Sequence, residues 1–271
     1  LSLLLSAQLL GSEGDPAEYS FIFLFSAISQ LVSLWFISQI PDVRTGDVAA
    51  RSAEPVPWKQ MLNYTPFRNL LLFNLAFAIA TGGLGVFAVE FLREAFLLGP
   101  DKVMLLSSVG YVAAMILLPV FGPICDKIGS RPMLLVGTLA LSFCSLGYFS
   151  FACFHLPNLL WLVGAINFLW GATGSNFNVA MVRASMLVIP EMGRNHFFAL
   201  YTVLSSLAFG VSPIFWGLAL DFAGSHLSSI GVPIHRHTFF FVAASICTLL
   251  CLPLLPKISE KLPQKKDNII R

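Results

Sequence analysis

The feature that most constrains this chain is a series of apolar runs too long for a soluble fold. Seven segments, 20–40, 66–90, 102–124, 132–154, 158–189, 195–220 and 238–256, are long and apolar enough to cross a hydrocarbon layer of about 30 Å as helices. Only 11% of the 271 residues are charged and 56% are hydrophobic, whereas an ordinary soluble domain is about a quarter charged. A soluble core could use the 25 Phe and 5 Trp, but it would interleave them with amphipathic helices. An isolated segment in lipid must satisfy its own backbone, and a helix does so. The expectation is an all-α polytopic membrane helix bundle with about seven full transmembrane helices plus a partial one. The partial one is LSLLLSAQLLG, Leu1 to Gly11, which is too short to span and reads as the end of a helix whose beginning lies upstream.

Charge then orients the segments. Alternate loops share a side, and cations stay preferentially cytoplasmic. One set of loops holds 12 of the 16 Lys and Arg: Arg44, Arg51, Lys59, Arg68, Lys127, Arg131, Arg194 and five from Lys257 onward. The other set holds Arg93, Lys102 and Arg236, and Arg183 lies inside a segment. The 41–65 stretch and the tail are therefore expected to be cytoplasmic. The net charge of +2 gives no footing for nucleic acid. The five cysteines, Cys125, Cys144, Cys153, Cys247 and Cys251, lack zinc-site spacing and read as small hydrophobes. No HExxH, GxSxG or Cys/His nucleophile arrangement is present, so the chain is not expected to be an enzyme. His235 and His237 read as solvated residues of an outer loop.

The densest polar punctuation is FGPICDKIGSR, 121–131. Gly122 and Gly129 permit close packing and a tight turn, and Asp126 at the membrane edge can face a cation or the positive end of a helix. The segment WGLALDFAGSH, 216–226, repeats the pattern: Gly217, Asp221, Gly224 and Ser225 align with Gly122, Asp126, Gly129 and Ser130, while Lys127 becomes Phe222 and Arg131 becomes His226. Loss of both cations suits an outward-facing copy.

Gly122-x-x-x-Asp126-Lys127-x-Gly129-x-Arg131 resembles the loop signature of the major facilitator superfamily, twelve-helix secondary transporters made of two six-helix halves. Pro132 stands where that signature carries a second terminal cation. Two complete segments separate the motif from the long loop, as in the family's C-terminal half. The resemblance implies a major facilitator fold with residues 1–40 as the end of the N-terminal bundle, 41–65 as a cytoplasmic linker, 66–256 as the C-terminal six-helix bundle and 257–271 as a basic cytoplasmic tail. Helices one to four, and with them most of the N-terminal half, would then be missing. Each half carries inverted three-helix units, so 216–226 is expected to be an outward-facing loop equivalent to 121–131. The segment IPEMGRN resembles the loop that partners the signature, so Asp126, Arg131, Glu191 and Arg194, with Lys127, are expected to form a cytoplasmic charge latch. The plainer reading is a set of solvated interfacial charges that only set topology.

The resemblance also implies a small-molecule solute carried by alternating access through a plasma or inner membrane, with the other half of the transporter and the lipid bilayer as partners. It implies no cofactor and leaves open coupling to a proton or sodium gradient. The rival reading is a seven-helix receptor or sensor without transport. A substrate cavity near the midplane is expected on helices 66–90 and 158–189. Polar residues at that depth are the candidates: Asn74 and Thr81, which share a face with Gly85; Asn167, Trp170 and Asn178, which share a face with Gly171 and Gly174; and Tyr111 on 102–124. Packing between helices is the competing role for each. Gly82, Gly83 and Gly85 mark a place where the first of these helices can bend. Arg183 is expected to snorkel to the cytoplasmic interface, and Glu90 to pair with Arg93 or Lys102 at the outer surface rather than couple to a proton.

Overall fold

The structure is a computed structural model and describes residues 16–39, 58–154, 160–189, 194–229 and 236–258. The described elements are all helical: α1 (Pro16–Ser38), α2 (Trp58–Asn63), α3 (Thr65–Thr81), α4 (Leu84–Ala95), α5 (Pro100–Ile128), α6 (Ser130–Phe154), α7 (Leu160–Val188), α8 (Arg194–Ser229), α9 (Arg236–Leu249) and a 3-10 helix (Leu252–Lys257). Most of the 41–65 segment, the first 15 residues and the tail from 259 lie outside the described residues. No 18-residue apolar window of α1 is buried, whereas 61% of the window spanning α3 and α4 is.

Each of the seven expected segments is helical where it is described, but among the described residues only six helical stretches, one of them α3 with α4 and one α9 with the 3-10 helix, are both long and apolar enough to cross a membrane. The exception is α7, which at 29 residues is about 43 Å long. Length is therefore not what it lacks. Asn167, Asn176 and Asn178, with its glycines, dilute its apolar side chains. Its polarity has a structural use, described below.

Lipid supplies no hydrophobic drive between helices, so they associate through close packing and internal hydrogen bonds. The tightest contact joins α5 to α7. A Cβ built on Gly171 would stand 1.8 Å from the carbonyl oxygen of Gly110, and one on Gly110 would stand 3.0 Å from the carbonyl of Asn167. Only hydrogen fits at Gly171. Two apolar cores flank this contact. One gathers Phe67, Phe73, Phe77, Leu134, Phe177, Met181 and Leu255, with Phe77 and Phe177 stacked at 3.8 Å. The other gathers Phe87, Phe91, Tyr148, Val163, Phe240 and Phe241, with Tyr148 and Phe241 stacked at 5.1 Å. Trp170 and Cys247 pack against both. The outer faces carry exposed Phe143, Leu218 and Ile246, a surface that water would penalise and lipid accepts.

Polar pairs stitch the helices where they cross. Ser142 and Ser245 share a hydrogen bond of 2.6 Å between α6 and α9. The Asn176 amide donates to the carbonyl of Met133 on α6 at 3.0 Å, beside Gly137, whose missing side chain leaves room for it.

Three expectations change here. First, 216–226 is not a loop, because α8 runs unbroken through Gly224 to Ser229. The two halves of the sequence echo therefore differ in backbone. Gly129 stops α5 with φ 102°, and it is the only described glycine with positive φ. Second, the last segment does not stay α-helical to residue 256; α9 ends at Leu249 and a 3-10 helix containing Pro253 and Pro256 follows. Third, the expected bend becomes an interruption at Gly82 and Gly83, between α3 and α4.

Adding a methyl at Gly171 forces backbone apart, an overpacking cost of about 1 to 3 kcal/mol. Gly171→Ala is expected to lower the melting temperature of the purified protein by several degrees. Gly210→Ala, whose Cβ meets nothing within 4 Å, is expected to leave it unchanged or slightly raised. Equal melting temperatures for the two variants would show that the α5–α7 contact is not built as described.

Candidate solute cavities and charged turn

The interruption of the first bundle helix is held by a neighbour. Gly82 donates to the carbonyl of Ala78 at 2.8 Å, and Phe87 resumes the ladder by donating to Gly83 at 3.0 Å. Between them the carbonyl of Ile79 accepts from Ser212 Oγ and from Trp216 Nε1, each at 2.8 Å. A carbonyl without such partners in a water-free layer costs several kcal/mol. Gly82 and Gly83 let α8 come that close: a Cβ on Gly82 would meet Ser212 Cβ at 2.7 Å, and one on Gly83 would meet Trp216 Cδ1 at 2.9 Å.

Two adjacent cavities follow α7 on either side of this break. The larger, about 650 Å³, is lined by Gly85, Ala88, Val89 and Leu92 of α4, by Ser107, Gly110 and Tyr111 of α5, by Tyr148 of α6, and by Asn167, Trp170, Gly171, Gly174 and Asn178 of α7, among others. The smaller, about 460 Å³, is lined by Asn74, Phe77 and Thr81 of α3, by Trp170, Gly174, Asn178 and Ser185 of α7, and by Tyr201, Thr202 and Ser205 of α8. Trp170, Gly174 and Asn178 border both. No Asp, Glu, Lys, Arg or His side chain lines either cavity among the described residues.

The structure brings the six midplane candidates to these cavities but divides them. Asn74 and Thr81 border the smaller, Tyr111 and Asn167 the larger, and Trp170 and Asn178 both. Gly85 is separated from its expected face-mates because the helix breaks before it. Several polar groups are partly committed. Asn74 donates to Ser205 Oγ at 2.5 Å, Thr81 to its own helix at Phe77, and Asn167 to Val163. Sequence reasoning missed Tyr148, Tyr201, Thr202 and Ser205 because it looked mainly at two helices and added only Tyr111 from a third. Tyr201 and Ser205 lie four apart in an apolar run, the same signal that marked the others.

The 121–131 motif forms a one-residue turn. Gly129 N donates to the carbonyl of Cys125 at 2.9 Å, and α6 begins at the next residue, Ser130. Such a φ strains any residue with a side chain. Asp126, on the last turn of α5, pairs with Arg183 of α7: Oδ1 lies 3.2 Å from Nε, and the Asp126 carbonyl lies 3.4 Å from Nη2. Arg183 therefore does not simply snorkel, since its side chain is 17% exposed and held by α5. Arg131 donates through Nε to the carbonyl of Ile258, and Asn69 donates to that of Lys257 at 3.0 Å. The 3-10 segment is thus tied to both neighbours. Lys127 is exposed. Glu191 and the Arg194 side chain lie outside the described residues, so the expected latch is represented by Asp126 and Arg131 with partners other than those expected.

At the opposite end His237 is buried, 4% exposed, rather than solvated in a loop, and its Nε2 stands 3.0 Å from Glu94 Oε2. One ligand atom of Glu90 lies within 4.8 Å of these groups, so it faces an acid and an imidazole.

Helices on lipid-compatible surfaces around a solute-sized, uncharged space define a polytopic membrane bundle of transporter type. A family model described as Major Facilitator Superfamily matches residues 70–269, and the chain belongs to that superfamily. No curated protein and no solved structure matched the chain.

Exposed ion pairs contribute about 0 to 1 kcal/mol. Arg183 is mostly shielded but the Asp126 side chain is 76% exposed, so their pair is expected within that range. A double-mutant cycle on Asp126→Asn and Arg183→Gln, read as thermal unfolding, is expected to give a coupling of about 1 kcal/mol. Additive losses would show that the two side chains are independent.

Proposed function

We propose that this chain carries the C-terminal six-helix half of a secondary active transporter that moves a small, uncharged, amphipathic solute by alternating access. The observation that carries the reading is the lining of the two cavities: aromatic and aliphatic walls, amides and hydroxyls from five helices, and, among the described residues, no Asp, Glu, Lys, Arg or His. Asn and Thr at membrane depth are costly unless used. Amides and hydroxyls can exchange hydrogen bonds with a neutral polar solute without the desolvation cost of a charge. The family's other half would face the open side of the cavities.

In this reading the Asp126 turn and the 41–65 linker lie at the cytoplasmic face of a plasma or inner membrane, and the tail after Lys257 lies there too. The interrupted helix supplies the moving part. A tilt of α4 beyond Gly83, carried out together with its own core around Phe87 and Phe91, would change access to the larger cavity while α3 stays packed in the other core. Asp126 and Arg183 would then latch the cytoplasmic ends of α5 and α7 in one state. Coupling to a proton or sodium gradient would need a group outside both cavities of this half.

The test uses the full-length transporter in proteoliposomes with a panel of neutral, anionic and cationic solutes. Uptake of neutral amphipathic members is expected to exceed that of charged ones. Asn178→Ala and Trp170→Phe are expected to reduce it about tenfold or more, with the thermal unfolding of Asn178→Ala near that of the parent. Preference for a charged solute would overturn the substrate class. Full uptake by both variants would remove the cavities from the path. Asp126→Lys is expected to slow transport, and unchanged rates would remove the latch.

A further inference from the structure

The end of the bundle opposite the Asp126 turn carries a cluster that the cavities do not use. Glu90 and Glu94 lie four apart on α4, so their carboxylates leave the same face of the helix. Like charges at this spacing destabilise a helix. His237, the second residue of α9, approaches from the neighbouring element with Nε2 3.0 Å from Glu94 Oε2. One ligand atom from each of the three residues lies within 4.8 Å of the other two.

The imidazole is fixed rather than free. Its side chain is 5% exposed, the Phe91 ring lies 5.6 Å away, and Nδ1 has no hydrogen-bond partner among the described residues. A buried, oriented histidine therefore presents one nitrogen to two carboxylates, and the half-exposed Glu94 leaves an approach from outside.

We propose that Glu90, Glu94 and His237 bind a divalent cation of the zinc class, joining the C-terminal end of α4 to the N-terminal end of α9. The donor set selects the cation. One imidazole nitrogen and two carboxylate oxygens suit zinc with water as the fourth ligand, whereas calcium and magnesium favour oxygen alone. Ligand atoms about 2.1 Å from zinc in a tetrahedron stand about 3.4 Å apart. The Glu94–His237 pair already stands at 3.0 Å, so the cation replaces their hydrogen bond with only a small separation. A dication also removes the repulsion between the two carboxylates.

The consequence for the fold is specific. Gly85, Ala88, Val89 and Leu92 of α4 line the larger cavity, and α4 is released from α3 by the Gly82–Gly83 interruption. A cation pinning its far end to α9 restrains the wall of that cavity.

The test uses tag-free, full-length protein in detergent, stripped of metal and titrated with zinc chloride. Binding to the folded state raises the melting temperature, by about 5 °C at a hundredfold excess over Kd. Magnesium at the same concentration is expected to produce no shift. Cobalt is expected to give the visible absorption of a four-coordinate nitrogen–oxygen site. Glu94→Gln, at a half-exposed position that preserves the fold, and His237→Gln are each expected to weaken zinc binding about tenfold or more. Absence of a zinc shift in the parent protein overturns the proposal. So does a shift that Glu94→Gln and Glu90→Gln both retain, because the metal then sits elsewhere. Neither readout involves solute transport.

Discussion

The carbonyl of Ile79 is the point on which the functional architecture turns. A helix in lipid can be interrupted only where another group takes over the released hydrogen-bond acceptor, and here Ser212 and Trp216 of α8 both do so. Their approach needs two glycines in succession on the interrupted helix. The break therefore belongs to two helices at once. The aromatic core around Phe77 holds the α3 side of it, and the core around Phe87 holds the α4 side. The two cavities open on opposite sides of the same break, which separates Asn74 and Thr81 from Gly85.

The second constraint is the contact of Gly171 with Gly110. It draws α7 against α5 so closely that backbone touches backbone, and van der Waals packing of this kind replaces the missing hydrophobic drive. The same face of α7 then carries Asn167, Trp170 and Asn178 into the cavities, while Asn176 turns away to Met133. One helix thus separates packing, interhelical bonding and cavity lining around its circumference. That division explains why α7 is too polar to register as a span although it is as long as the others.

Much of this was legible in the sequence because lipid simplifies the code. Long apolar runs gave the helices, and the family resemblance, together with polar residues at membrane depth, pointed to Asn74, Thr81, Tyr111, Asn167, Trp170 and Asn178, which border the cavities. What could not be read were contacts between distant segments. Arg183 and Asp126 are 57 residues apart, and nothing in either run indicates that the turns meet. The cavity share of α8 was missed although Tyr201 and Ser205 lie four apart in an apolar run, because the family resemblance directed the lining to other helices. His237 was misread because its local sequence, HRHT, has the composition of a loop; burial came from Phe91 and from the start of α9, which packs the ring beside Glu94.

The two echoing stretches show where sequence similarity stops determining structure. Both contain G-x-x-x-D-x-x-G-S, yet Gly129 leaves the helix at positive φ while Gly224 stays within α8. The glycine permits a turn in either place, so it cannot by itself decide. What distinguishes the first copy is that its surroundings hold the turned chain. Asp126 is paired to α7, Arg131 is bonded to Ile258 just past the 3-10 helix, and Ser130 immediately begins the next helix. In the second copy the positions of Lys127 and Arg131 are Phe222 and His226, and Phe222 is exposed. The guanidinium that reaches a distant carbonyl at 131 has no counterpart there. A helix continuing to Ser229 satisfies the backbone by local bonds alone. Beyond its share in the charge bias, Arg131 thus contributes a bond to Ile258 that supports ending the helix at Gly129.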